Sequence, residues 1–345
     1  MSEFPVSTMI ENTDNFQVLD RARPEREEAP LVSVVIPVYN RTEFVGQAIR
    51  SAFDQTHKPI EVVVVDDGST IDVRPALGPF GESITLIRQA NGGPASARNR
   101  GLEQARGAYI LFLDDDDFLE PDAVEQLLGA LRTYPQARWA AGHYVLVDEE
   151  GSRLPTQRRF RLESGDAYPR MVQENSIGGP SVVLIRREPL QALGGFDESR
   201  AIQITEDYDL WLTLAREWPL AVTNRVVANY RCHTTQATTN WTRSYECRLR
   251  VLHKQRERAR PHFETAFQHA IARIHLEYGD SLYYHGDDRD AARSHWRTAW
   301  ELGCGESRWR LLARFAKCSI PSPIHRALRQ LRGATRVPSS WKRFS

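Results

Sequence analysis

No two of the four cysteines, Cys232, Cys247, Cys304 and Cys318, are spaced as CxxC, and no histidine cluster accompanies them. That spacing argues against a zinc site or a disulfide framework and points to reduced thiols. Long hydrophobic runs are also missing. A membrane-spanning helix needs about 20 apolar residues, and no stretch approaches that length; Pro37 interrupts one of the short apolar runs. Charge of one sign is absent overall, because Lys and Arg total 45 against 45 Asp and Glu. The chain as a whole is therefore not an electrostatic binder of nucleic acid. The opening MSEFPVSTMIENTDNF has neither a basic n-region nor an apolar h-region, so no signal peptide is expected. GxGxxG after a first strand and the Walker phosphate loop are absent too, which excludes the usual dinucleotide and P-loop sites.

What remains is the composition of a globular protein: 345 residues, 41% hydrophobic and 26% charged. That length accommodates one large domain and a smaller one. Residues 1–30 read as a polar, flexible leader. From Leu31 the chain alternates short β-branched runs with helical periodicity. Strands are expected at 31–39, 60–65, 83–88 and 108–113, and helices at 43–55, 95–105 and 121–133. This alternation predicts an α/β fold with a mostly parallel sheet flanked by helices. Ligands in such sheets bind beyond the carboxyl ends of the strands. The pattern is mixed between 139 and 230, with short strands at 140–147, 181–186 and 226–230 and a helix at 207–217. Beyond about Arg243 it becomes helical. Phe263, Phe267, Ile271, Ile274, Tyr278 and Leu282 form one apolar face, and Gly286-Asp287-Asp288 breaks it before a second helix at 290–302. An αα-hairpin is expected, weakly similar to a tetratricopeptide unit. The expected division is 31–243 for the α/β domain, 244–318 for the helical region and 319–345 for a basic tail. The basic stretch after Glu306 is either a solvated tail or a contact for anionic lipid headgroups.

Four carboxylates in succession, Asp114 to Asp117, follow a predicted buried strand. They repel one another, and a hard divalent cation such as Mg2+ or Mn2+ would relieve that cost. Asp66-Asp67-Gly68-Ser69 closes another strand at the same edge. It reads as turn chemistry or as a carboxylate placed to accept from a base or a ribose hydroxyl. Asn91-Gly-Gly-Pro-Ala-Ser-Ala-Arg98 is a small-residue loop opening a helix, where backbone can approach an anion and Arg98 can reach a phosphate. Glu206, Asp207 and Asp209 sit at a predicted helix start, as caps or, for one of them, as a general base if folding brings it to the acidic site.

Seven segments in order, SVVIPVYN (33–40), VVDDGS (64–69), NGGPASARNRGL (91–102), YILFLDDDDFLEP (109–121), GGFDE (194–198), TEDYDLWL (205–212) and YRCH (230–233), resemble the family 2 glycosyltransferases, the large inverting group with the GT-A fold. The resemblance covers roughly 31–233. It implies that Tyr39 and Asp67 hold the nucleotide base, with Pro37 and Asp66 lining that pocket and Arg98 near the diphosphate. It implies that Asp114 and Asp116 form the DxD motif, with Asp115 beside the donor and Asp116 a direct metal ligand. Asp207 matches the catalytic base, with Glu206 as its helper, and His233 falls where a histidine approaches the diphosphate or metal. The QxxRW motif of processive synthases is absent, so transfer of single sugars is expected. The implied donor is a nucleotide sugar, UDP by default with dTDP and GDP open, and the acceptor a glycan or lipid-linked molecule in polysaccharide biosynthesis. The expected location is cytoplasmic, with peripheral contact at the inner membrane face through the basic tail. Two other readings stand beside it: a non-catalytic sugar-nucleotide-binding scaffold with a helical interaction tail, and a nucleotidyltransferase. The second needs a Gly-rich loop after the first strand, where this chain has PVYNRTE.

Overall fold

A computed structural model describes residues 29–155, 162–233, 240–286, 288–304 and 308–318. The leader, apart from its last two residues, and the basic tail 319–345 lie outside the described residues. The strands are β1 (Val32–Val38), β2 (Ile60–Asp66), β3 (Ile84–Arg88), β4 (Tyr109–Phe112), β5 (Phe118–Leu119), β6 (Trp139–Val147), β7 (Val183–Arg186) and β8 (Leu220–Arg231). The helices are α1 (Val45–Phe53), α2 (Arg74–Leu77), α3 (Pro94–Gln104), α4 (Ala123–Thr133), α5 (Tyr168–Gln173), α6 (Arg187–Leu193), α7 (Glu206–Glu217), α8 (Trp241–Glu257), α9 (Glu264–Ser281), α10 (Arg289–Glu301) and α11 (Arg308–Cys318).

The eight strands form one sheet in the order β3-β2-β1-β4-β7-β6-β8-β5. The pairs β1–β2, β1–β4, β2–β3 and β6–β8 are parallel, whereas β7 runs antiparallel to both of its neighbours and β5 to β8. The near-continuous apolar runs of β1, β2 and β4 are what a strand covered on both faces requires, and Val34, Val35, Ile36, Val63, Val64 and Leu111 are all buried. β8 is longer than its expected segment. Its register against β6 shifts near His143, a local irregularity that a two-residue alternation cannot anticipate. The short helices α5 and α6, six and seven residues long, were not expected from periodicity, because barely two turns carry too little of it.

Helix α3 lies against the parallel half of the sheet. A Cβ on its Gly101 would come within 2.2 Å of Val35 Cγ1, so the helix sits as close to β1 as a glycine permits. That approach determines where Arg98, one turn earlier, projects.

The expected apolar face of α9 forms: Phe267, Ile271, Ile274 and Tyr278 are buried, in the same cluster as the sheet. Helices α8 and α9 therefore pack on the α/β core. A second cluster, with Ala292, Trp296 and Ala299 of α10 and Leu311 of α11, closes the hairpin. Asp209 of α7 bonds Lys254 Nζ at 2.6 Å and Gln255 Nε2 at 2.7 Å, fastening α8 behind α7. No described helix is long and apolar enough to cross a membrane.

Gly101→Ala should destabilise the fold by about 1–3 kcal/mol, the cost of overpacking a filled interface. Urea unfolding checks this, and an unchanged midpoint would mean that α3 can withdraw freely from β1.

Candidate functional site

Because β2, β1 and β4 are parallel neighbours, their carboxyl ends share one edge. Tyr39, Asp66-Asp67 and Asp114 to Asp117 all follow these strand ends, as the sequence implied. Tyr39 is 48% exposed there, an aromatic face open for stacking. Pro37 is half-buried just before it.

The loops around this face are tied together. Asn40, with φ 51°, donates its N–H to Ser69 Oγ at 2.9 Å and accepts from Thr70 N at 2.7 Å. Asp66 Oδ1 accepts from Ser69 N at 2.9 Å and pairs through Oδ2 with Arg88 at 3.1 Å. Asp67 is buried; its Oδ1 accepts from Gln89 Nε2 and Gly92 N, and its Oδ2 from Gly93 N, each at 2.8 Å. A carboxylate offers about four acceptor sites, so one on Oδ2 remains for a ligand. Between the two loops Gly68 has φ 72°, and a Cβ there would lie 2.7 Å from Asn91 N, so only glycine fits.

The carboxylates of Asp114, Asp116 and Asp117 each offer an oxygen, all within 4.8 Å of one another. Four basic side chains surround this group. Arg41 donates from one nitrogen to Asp115 Oδ1 and Asp116 Oδ2, both at 2.6 Å. Arg98 donates to Asp114 Oδ1 at 2.7 Å. Arg231 donates its Nε to the Asp116 carbonyl at 2.8 Å and its backbone N–H to Asp117 Oδ1 at 3.0 Å. His233 Nε2 lies 2.9 Å from Asp116 Oδ2. Burial raises the pKa of Asp114 and raises Asp115 and Asp117 well above the carboxylate range, with repulsion from neighbouring aspartates adding to it. Burial acts on Asp116 in the same direction, but the His233 hydrogen bond and the Arg41 charge outweigh it and hold Asp116 below its ordinary value. A cluster of oxygen donors with three carboxylates pushed toward protonation fits a hard divalent cation. The Asp114 side chain is 25% exposed, so it remains partly open to solvent.

Arg98 is 5% exposed, and its second nitrogen donates to Glu206 Oε1 at 2.7 Å. One guanidinium on α3 thus joins the acidic strand end to the start of α7, which lies 108 residues beyond Arg98 in the chain. Its Nε is buried with no partner among the described residues, and Phe196 lies 5.3 Å from its charge centre. Glu206 Oε2 accepts from Ile204 N at 2.7 Å. Ile204 has φ 96°, a left-handed conformation rare for a β-branched residue; such strain collects at functional sites. Asp207 is half-buried, and its Oδ1 accepts from Tyr208 N at 2.7 Å. Burial first, then the Glu206 charge, pushes its pKa up to about 8.

Three participants escaped the sequence reading. Arg41 follows the first strand motif directly, yet an arginine in a loop carries no signal of its own. Asp117 was legible only as part of the acidic run; Ser181, which donates to it at 2.7 Å, comes from the 3-10 turn ahead of β7. Arg231 stands within YRCH, and its stacking at 4.4 Å on Phe44 is a tertiary contact.

The profile described as Glycosyl transferase family 2 matches residues 33–194. The match runs from β1 to the end of α6, so the strands that carry the acidic cluster lie within the family-like segment. An uncharacterized glycosyltransferase of Rickettsia prowazekii is 32% identical over 214 residues, covering 61% of this chain and 66% of its own length. The chain therefore spans just under two thirds of that relative. Among solved structures, S. aureus TarS residues 1–349 in complex with UDP-GlcNAc superpose with a TM-score of 0.59 at 18% identity, over 79% of this chain and 81% of that one. The mannosyltransferase PcManGT from Pyrobaculum calidifontis, in complex with GDP-Man and Mn2+, gives 0.53 at 18% identity, over 89% and 85%. At these identities the structures establish the shared GT-A architecture, a curled mixed sheet flanked by helices.

Arg98→Met removes the shared partner of two acids and leaves Glu206 buried without its counter-charge. Breaking a buried pair in this way costs about 3–5 kcal/mol. Chemical denaturation measures it, and a loss under about 1 kcal/mol would show that the bridge is not formed in solution.

Proposed function

We propose that this protein is an inverting glycosyltransferase that moves one sugar from a nucleoside-diphosphate sugar to a hydroxyl of a glycan or lipid-linked acceptor. The observation that carries this is the Arg98 bridge from Asp114 to Glu206. It supports the reading because one guanidinium joins the acidic cluster to the start of α7, where Asp207 stands.

Tyr39 stacks on the base, Asp67 uses its remaining acceptor site for a base N–H, and Pro37 and Asp66 line the pocket. UDP is the proposed nucleotide; the complexes of TarS with UDP-GlcNAc and of PcManGT with GDP-Man support the nucleoside-diphosphate class. Asp114, Asp116 and Asp117 would hold a divalent cation, with His233 on Asp116. When bound, such an ion offsets the negative charge that grows on the departing diphosphate. Arg41 keeps Asp115 and Asp116 paired until the donor arrives, and then lies at hand for the diphosphate oxygens.

Asp207 takes the acceptor hydroxyl proton. The acceptor oxygen forms its bond to the anomeric carbon as the bond from that carbon to the diphosphate oxygen breaks, and the diphosphate leaves with the electron pair. A single displacement inverts the configuration. A base of pKa near 8 is well matched to this work near neutral pH. We assign this chemistry to residues 31–243 and acceptor or surface contacts to the helical region 244–318.

Calorimetric titration with UDP, dTDP and GDP, each with and without Mn2+, tests the donor site. Manganese-dependent binding of one nucleotide, abolished in Asp116→Ala, is expected; no binding of any nucleotide under either condition would overturn the reading. Asp207→Asn should keep nucleotide affinity and lower turnover by about 100- to 10,000-fold, the usual worth of a general base.

The base works deprotonated, so kcat/KM should fall as pH drops through about 8, the pKa that burial and Glu206 impose on Asp207. Glu206→Gln removes the second of these causes and should move that midpoint to lower pH. A pH profile unchanged by both substitutions would assign the base elsewhere.

A further inference from the structure

Helix α11 carries two apolar stripes, and the hairpin uses only one. Leu311 is buried in the second core cluster, and Phe315 meets Trp296 edge-on at 6.2 Å. Arg314 clamps this side down, bonding both oxygens of Asp280 at 2.8 and 2.9 Å. The opposite side is apolar as well. Trp309 is 81% exposed and Leu312 46%, and Ala313 and Ala316 are exposed with them. Their spacing, i, i+3, i+4 and i+7, makes a continuous stripe along a helix. On the adjoining α10, Trp300 is 40% exposed and follows the exposed Arg293 and Arg297 at helical spacing. A single exposed leucine needs no explanation, but an apolar stripe led by a tryptophan and a leucine, on a helix packed beside another with its own exposed tryptophan, calls for one.

The charge around this stripe identifies what it faces. Residues 289–318 contain seven Lys and Arg against three Asp and Glu, and 319–345 add six more with no acid. A second copy of this chain would bring the same positive excess against itself, and the segment after α11 carries the same sign. An anionic lipid surface complements both features. Tryptophan settles at the headgroup boundary, with its ring in the apolar layer and its N–H toward water, while arginines keep their heads at the phosphates.

We propose that the outer face of α10 and α11, centred on Trp309 and Leu312, is a docking surface for anionic lipid bilayers, holding the protein peripherally at a membrane. This extends the reading of a lipid-linked acceptor, since an enzyme held at the surface meets that acceptor there, yet it stands without it. The contact is an apolar insertion supported by charge; charge alone would leave the two tryptophans and the leucine in water.

The test is co-sedimentation of the full chain, without nucleotide, with vesicles of phosphatidylcholine alone and of equal parts phosphatidylcholine and phosphatidylglycerol. The wild-type protein should bind the mixed vesicles and not the neutral ones, and added salt should weaken binding. The double variant Trp309→Ser, Leu312→Ser should partition about tenfold or more weakly, since the apolar face supplies much of the affinity of an interfacial helix. Both positions are exposed, and an unchanged thermal midpoint confirms that the variant is folded. Three results would overturn the proposal: no binding to the mixed vesicles, equal binding by the variant, or a wild-type dimer that the variant dissolves, seen by sedimentation velocity. Nucleotide titration of the same variant is read separately, so failure of the docking surface and failure of the donor site are distinguishable.

Discussion

Six carboxylates, Asp114 to Asp117 with Glu206 and Asp207, converge at one end of the sheet, and the rest of the site depends on keeping them there. Like charges at this separation raise each other's pKa and would force the loops apart in the absence of counter-charge. Arg98 supplies the central one. It is buried, it bonds both the strand-end acid and the helix-start acid, and its position follows from the close seat of Gly101 against Val35. The cost of burying that guanidinium is offset only because both of its partners are charged and well aligned. Arg41 pairs through its side chain with Asp115 and Asp116, and Arg231, at the end of β8, bonds Asp117 through its backbone N–H, from segments that only the fold brings near.

The two sides of the site are built differently. On the proposed donor side, Asp67 spends most of its acceptor capacity on the 89–93 loop, and Asn40 spends its side chain on Thr70. These bonds fix the two loops before a ligand arrives, and pre-formed geometry lowers the entropy lost on binding. On the side of α7, the strained Ile204 turns the chain so that Glu206 faces Arg98 while Asp207 keeps one oxygen without a partner among the described residues. An acid raised by burial and left partly unpaired is ready to take a proton. Behind α7, Asp209 is held by Lys254 and Gln255 of α8, so α7 is braced by the first helix of the C-terminal region.

Much of the fold was legible because its signals are local. The runs at β1, β2 and β4 are apolar and β-branched, the faces of α9 and α10 repeat at helical spacing, and the acidic stretches stop strands where an open sheet places its ligands. The β6–β8 register shift, the reversed β7 and the short helices α5 and α6 were not legible. Each depends on which surface is already covered when the segment packs, or is too short to show a period.

By itself the sequence determined the α/β class, the resemblance to a family through seven ordered motifs, and the residue types at the candidate site: aspartates at strand ends, a small-residue loop and an acidic helix start. Those properties live in single segments, where composition and spacing suffice. Only the tertiary structure decided that Arg98 joins Asp114 to Glu206, that Arg41 and Arg231 balance the cluster, that Asp117 rather than Asp115 completes the oxygen triad, and that Trp309 and Leu312 face outward. Each of these is a matter of distance between segments remote in the chain, or of which helix face its neighbours leave uncovered, and both are settled by packing.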